Sequence, residues 1–283
     1  MDPLAAILML LAGLLHATWH AIVKTGAGAG LSILAGMGLV SSAVAMPVLF
    51  FVPAPSASTW PIILASLALH AGYKASLATA YGSAEFGRCY PIARGTVPLF
   101  ATLFAYVGLQ QLPGPGQLIG IAVIVLGILG LARDRIHGPI ERRALWAAIG
   151  AAAMVAAYSV VDASGTRQPE GWASFTAWII VLDSIVFFIV AAAYRGRAIL
   201  ADLRHALLSV LVAALLGLTS FAVFLWAVSR NPIANVVAFR ECSVLFATLL
   251  GVLFLNERVT ARRLCCAALI AAGLITVALL KPA

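Results

Sequence analysis

Charge is scarce in this chain. Of 283 residues only 10% are Asp, Glu, Lys or Arg, against 63% hydrophobic, and mean hydropathy is +1.05. A soluble domain carries about 25% charged residues. A water-facing fold is therefore excluded, because a surface this apolar would aggregate; the surrounding solvent must be lipid. The phosphate-cradling G-x-x-x-x-G-K-[ST] loop is absent, as are G-x-G-x-x-G, H-E-x-x-H and G-x-S-x-G. ATP-binding, dinucleotide-binding, zinc-protease and serine-lipase readings thus lose their motifs, and no cofactor or metal is expected. The four cysteines, Cys89, Cys242, Cys265 and Cys266, show no C-x-x-C spacing and read as small packing residues. A signal-peptide pattern is also missing: Asp2 replaces a basic n-region, and the first apolar run holds His16, Trp19 and His20.

What remains is a succession of apolar runs. Hydropathy and turn residues predict ten spans, at about 3–24, 31–52, 60–81, 84–109, 116–132, 144–162, 173–194, 205–229, 232–255 and 261–280. The expected fold is all-α and integral to the membrane. The polar stretch 133–143 divides the chain into five-helix units at 1–132 and 144–283. If alternate loops share a side, one side holds Lys24, Arg133, Arg135, Arg142, Arg143, Arg195, Arg197, Arg204, Arg258, Arg262 and Arg263. The other holds Arg167, Arg230 and Lys281, so the bias is eleven against three. The positive-inside rule makes the richer side cytoplasmic and leaves both termini outside. Net charge of +8 is thereby assigned to topology and lipid headgroups, and no nucleic-acid partner is expected.

The two units are copies. Sliding the chain by 146 residues puts Arg94 on Arg240 and Leu99-Phe100-Ala101-Thr102-Leu103 on Leu245-Phe246-Ala247-Thr248-Leu249. Gly127 falls on Gly273 at the same offset, and Trp19 on Tyr158 at an offset of 139. Five spans per copy is an odd number, so the second copy is inverted relative to the first. Such repeats place a binding site near the midplane, between the halves.

Arg94 lies about 15 Å into the fourth span at 1.5 Å per residue, flanked by Pro91, Gly95 and Pro98. Broken helices of this composition line cavities, so a break is expected there. Arg240 sits at equal depth beside Glu241. An intramembrane arginine faces a cavity or a protein counter-charge, and a guanidinium forks onto carboxylate or phosphate. His70, Tyr73 and Lys74 share one helical face, as do His16, Trp19 and His20. Lys74 either lines the cavity or snorkels to the interface. Trp19 and Tyr158 are placed to sandwich an apolar ligand, the alternative being close packing. Asp183, midway along the seventh span, is either the counter-ion of an arginine or a proton carrier. Asp162 and Glu85 read as solvated helix ends. The Gly116–Gly120 pair and the stripe Ala267, Ala268, Ala271, Ala272 read as packing surfaces in the fifth and tenth spans, with a homodimer contact one use for them.

These segments resemble the EamA-type transporters of the drug/metabolite transporter superfamily. The resemblance is carried by TWHAIVK through Lys24, YPIARGTVPLFATLFAYVGL from Tyr90, YSVVDASGTR from Tyr158, FRECSVLFATLLGVLFLNERVT from Phe239 and LIAAGL from Leu269. Asn256-Glu257-Arg258 is its most specific element, and the first copy departs from it with Gln110-Gln111-Leu112. The resemblance implies ten helices, a central cavity and a secondary carrier in the inner membrane, with the aromatic amino acid exporters nearest. Tyr90, opening its motif, joins the substrate-binding candidates. The expected function is export of small amphipathic metabolites, foremost amino acids, by alternating access, with no enzymatic activity. The rivals are a carrier of phosphorylated or sugar-linked metabolites, a lipid-acting membrane enzyme using His16, His20 and His70, and a structural scaffold.

Overall fold

In lipid no water is available to satisfy the backbone, so each apolar run bonds its own N–H and C=O groups as a helix. The computed structural model describes residues 2–25, 30–81, 86–132, 142–255 and 260–280, with side chains over 2–23, 30–74, 76, 93–131, 142–143, 145–250 and 260–280. In chain order the helices are α1 (Pro3–Thr25), α2 (Gly30–Ala45), α3 (Trp60–Tyr81), α4 (Phe86–Leu109), α5 (Pro115–Ala132) and α6 (Arg142–Thr166). They continue as α7 (Gly171–Arg195), α8 (Ala198–His205), α9 (Leu207–Arg230), α10 (Ile233–Arg240), α11 (Cys242–Leu255) and α12 (Ala261–Leu279). A 3-10 turn, Met46–Phe50, extends α2, and α10 with α11 forms one crossing, so the helix order accommodates ten spans. Of these, seven among the described residues are long and apolar enough to cross a membrane by themselves.

Two details correct the expectation from sequence. The connection after α7 is helical, as the short α8, and the eighth span starts at Leu207. The broken helix is in the other copy: α4 runs without interruption through Pro91 and Pro98, whereas the ninth span breaks at Glu241. Near Pro98, Thr96 bonds the Ala93 carbonyl and Thr102 that of Pro98, the back-bonding usual for threonine inside a helix. At the break, Glu241 N–H turns back to Ala238 at 3.1 Å and Val244 N–H to Glu241 at 3.0 Å, a local i→i−3 tightening.

α5 and α12 record the relation between the halves. A Cβ on Gly127 would lie 2.7 Å from Ile270 Cγ1 and 2.9 Å from the Cys266 carbonyl oxygen. A Cβ on Gly273 would lie 2.7 Å from Ile124 Cγ1 and 2.7 Å from the Gly120 carbonyl oxygen. Replacing each residue of one contact by its equivalent 146 positions away, forward for α5 and backward for α12, gives the other, so the contact is reciprocal, as a two-fold axis requires. The helices run antiparallel, Gly116 meeting Leu280 and Gly130 meeting Cys266, so that axis is perpendicular to them and lies in the membrane plane. The two halves are therefore inverted. Thr102 and Thr248, also 146 apart, bond the carbonyls of Pro98 and Val244 at 2.8 Å each.

The halves interlock. α1 packs on α9 and α11, and its counterpart α6 packs on α3 and α4; α2 packs on α7. Glycine at 120 and 273 permits backbone contact that any Cβ would prevent. Gly116 and Gly120 thus serve packing within the chain. The alanine stripe does not: Ala268 and Ala272 are exposed, and α12 buries Cys266, Ile270, Gly273 and Val277 instead.

Polar contacts at the helix ends place alternate loops on one side. Asp2 N–H bonds Asn231, Ser174 bonds the Pro53 carbonyl, and Gln117 bonds that of Leu280. At the opposite face Arg262 bonds the Gly130 carbonyl. Each face carries one carboxylate latch between halves. On the first, Glu170 accepts the Ser56 N–H at 2.7 Å and bonds the Thr59 hydroxyl, and the hydrogen bonds from Ser56 hold its carboxyl down at about 2. On the second, Asp202 accepts from Ser32 at 2.6 Å and Arg195 at 2.5 Å, which lowers its carboxyl below the ordinary range. The connecting segment 133–141 and Glu85 lie outside the described residues.

Candidate functional site

The candidates from sequence gather into two clusters, joined by one face of α9. The first lies where α1 and α4 meet the α10–α11 break. Gly13 brings α1 against it: a Cβ there would lie 2.2 Å from Cys242 Sγ and 3.2 Å from Ser243 N. One and two turns further along α1, His16, Trp19 and His20 form a ring cluster, Trp19 stacked on His20 at 3.6 Å and His16 edge-on to both. Arg94, 6% exposed, reaches from α4 to Glu241, with Nη2 at 3.0 Å from Oε1, and to the Ser243 hydroxyl at 3.5 Å. Glu241 has no exposed surface. The carboxylate next to Arg240 in sequence is thus paired with the other arginine, across the two-fold. Arg240 instead lays its guanidinium on the Phe224 ring, 4.5 Å from the centroid.

The second cluster lies between α3, α6 and α7. His70 and Ser66, one turn apart on α3, both bond Asp162, at 3.3 and 2.5 Å. Asp162 is wholly buried. It is therefore not a solvated helix end: α6 continues to Thr166, beyond the expected end at 162, so Asp162 stays inside the bundle. Tyr158, one turn earlier, lies 4.1 Å from the His70 ring, and Tyr73 lies edge-on to Tyr158 at 6.0 Å. Lys74 does not snorkel. Its Nζ is held by both oxygens of Asp183, at 2.9 and 2.8 Å, and sits 4.2 Å over the Phe187 ring. Asp183 is the counter-ion of a lysine and not of an arginine.

Trp19 and Tyr158 do hold equivalent positions. Trp19 faces α9 at Gly217, where a Cβ would be 3.7 Å from its ring, and Tyr158 faces α3 at His70. Each already has a ring face covered by histidine, so the two do not sandwich a common ligand in this conformation. The Tyr90 side chain and the Asn256-Glu257-Arg258 segment lie outside the described residues.

A cavity of about 140 Å³ opens between α2, α3, α7 and α9. His70, Asp183, Ser41 and Ser184 supply its polar wall, and Ile180, Leu218 and Phe221 its apolar one. Phe221 stands 5.9 Å from His70 and 6.4 Å from Phe224, which underlies Arg240. Gly217, Phe221 and Phe224, spaced four and three apart, thus run from the cavity to the first cluster. Sequence reasoning passed over this stripe because aromatic residues at helical spacing look like ordinary core. Asp162 had a usable signal: it follows Tyr158 by four, on the same face.

The EamA-like transporter family matches residues 142–279. A solved structure described only as "Crystal structure of protein" superposes with a TM-score of 0.74 over 98% of this chain and 96% of that chain, at 18% identity. It is one of 29 solved chains that match, and at that identity the likeness shows the fold alone. No curated protein matches the sequence. The match falls on the second of the two inverted helical halves, which is similar to the EamA-like transporter family over residues 142–279.

Proposed function

We propose that this transporter exports small amphipathic metabolites, foremost amino acids, by alternating access through the cavity between α2, α3, α7 and α9. One observation carries the reading: Asp183 and His70 line the cavity opposite Ile180, Leu218 and Phe221, and Asp183 is ion-paired to Lys74 just behind it. A zwitterion presents the same two charges on one carbon. In the empty site Lys74 and Asp183 neutralise each other, as buried charges must. An entering amino acid gives its ammonium to Asp183 and its carboxylate to Lys74, with His70 as a further hydrogen-bond partner. Net charge in the cavity is unchanged, so occupancy costs no unpaired charge, and the apolar wall receives the side chain. The cavity is small beside the 300–1,000 Å³ or so of typical drug-sized pockets, which favours a small metabolite over a sugar-linked one.

Efflux from proteoliposomes tests the proposal. External amino acids, aromatic ones included, are expected to compete and organic phosphates are not; the reverse pattern overturns the amino acid reading. Arg94→Ala and Arg240→Ala are expected to lower flux, because one guanidinium ties the halves through Glu241 and the other abuts the α9 stripe. Full flux in both removes the arginines from the account. The richer loop side is proposed as cytoplasmic, with both termini outside. The lipid-enzyme alternative has no support in the arrangement of histidines: His70 pairs with Asp162, whereas His16 and His20 pack on each other.

A further inference from the structure

The two-fold makes a deficit of negative charge explicit. Each repeat contributes one arginine, at 94 and 240, but only the second contributes a carboxylate, because the position matching Glu241 is Gly95. Guanidinium groups do not deprotonate in proteins. Glu241 bonds Arg94, and both histidines of α1 lie within electrostatic range of both arginines. Among the described residues the cluster therefore holds two permanent cations and one carboxylate.

The unmet charge can be located. Arg240 is 9% exposed, and its Nε and Nη1 have no hydrogen-bond partner among the described residues. His16, 5% exposed, has an unpartnered Nε2 in the same cluster. Stacking on Phe224 offsets only part of the desolvation penalty of a buried ion. Unpartnered buried donors and a surplus cation together describe an incomplete site. We propose that Arg240, with His16 and Arg94, binds a compact monovalent anion at the α10–α11 break, apart from the substrate cavity. The ligand chemistry is a halide or a small carboxylate, seated on the open donors of Arg240, with the first turn of α11 adding the positive end of a helix.

The full chain in nanodiscs of neutral lipid tests this. Chloride is titrated against a bulky sulfonate buffer anion (2-(N-morpholino)ethanesulfonate) at constant ionic strength, and the melting temperature is read. A saturable rise with chloride is expected. Arg240→Gln should shift its midpoint upward by at least about tenfold, since a charge-assisted donor is lost. Glu241→Gln should move the midpoint the other way, because it removes the competing carboxylate; a residue that served packing alone would not tighten anion binding. Acetate shifting the chloride midpoint supports the site and assigns it to small carboxylates as well, whereas alanine shifting it overturns the separation from the substrate cavity. Superimposable melts in chloride and sulfonate overturn the proposal, as does an unchanged midpoint in Arg240→Gln. Should Arg240→Gln fail to fold, Glu241→Gln decides alone: a tighter midpoint supports the site, and an unchanged or weaker one overturns it.

Discussion

Lys74 and Asp183 are 25% and 24% exposed, intermediate between a surface pair and a buried one. Breaking a fully buried pair by removing one partner costs about 3–5 kcal/mol. With a quarter of each side chain open to screening, about 1–2 kcal/mol is expected for Lys74→Met. Adding Asp183→Leu should recover the melting temperature without recovering transport. A double variant that transports normally would remove the pair from the site. Gly13→Ala pushes a Cβ to 2.2 Å from Cys242 Sγ, an overpacking worth about 1–3 kcal/mol. Cys242→Ala vacates that space, so the double variant should melt higher than Gly13→Ala alone. At this scale, position was legible in the sequence and pairing was not. The matched offset found both arginines. It could not show that Glu241 serves Arg94, because adjacent residues on a helix do not face each other and the chosen partner is 147 positions away in sequence.

Helices were legible wherever hydropathy extended over a full crossing. α8 is not, since eight residues that include Asp202, Arg204 and His205 give no span signal. The break at Glu241 has no proline or glycine to announce it, while the prolines of α4 suggest a break that the uninterrupted helix does not make. Two predictions belong to elements. Gly273→Ala sets a Cβ at 2.7 Å from the backbone oxygen of Gly120, and backbone cannot yield as a side chain does. It should destabilise the chain more than Gly13→Ala, whose shortest contact is a side-chain sulfur and whose nearest backbone atom is 3.2 Å away; equal melting temperatures would argue against backbone contact between α5 and α12. Glu170 couples the turn before α3 to the start of α7. Its carboxyl is depressed from 4.5 to about 2, so the latch is fully present above about pH 4.5 and is lost as pH falls through about 2. Glu170→Gln should therefore melt below the parent by a constant margin from pH 5 to 8, with the margin closing as pH approaches 2. A margin independent of pH would mean that the ionised carboxylate contributes nothing.

For the molecule as a whole, the odd number of helices per copy implied inversion, and the reciprocal α5–α12 contact establishes it. The interlocking, with the first helix of each half packed on the third and fourth of the other, was not legible, because a repeat offset says which residues are equivalent and not which halves they touch. The interlock gives the chain one shared interior, and the α2–α7 pair crosses it with a carboxylate latch at either end, Asp202 on one face and Glu170 on the other. That geometry suits a carrier that opens alternately at its two faces. The most direct measurement uses Ser184→Cys on the cavity wall, in a background where exposed Cys265 and the remaining cysteines are replaced by Ala or Ser. A charged thiol reagent is applied to proteoliposomes during amino acid efflux. Modification is expected to stop efflux, and saturating amino acid should slow the modification. Efflux continuing at the unmodified rate through fully labelled protein would contradict passage through this cavity.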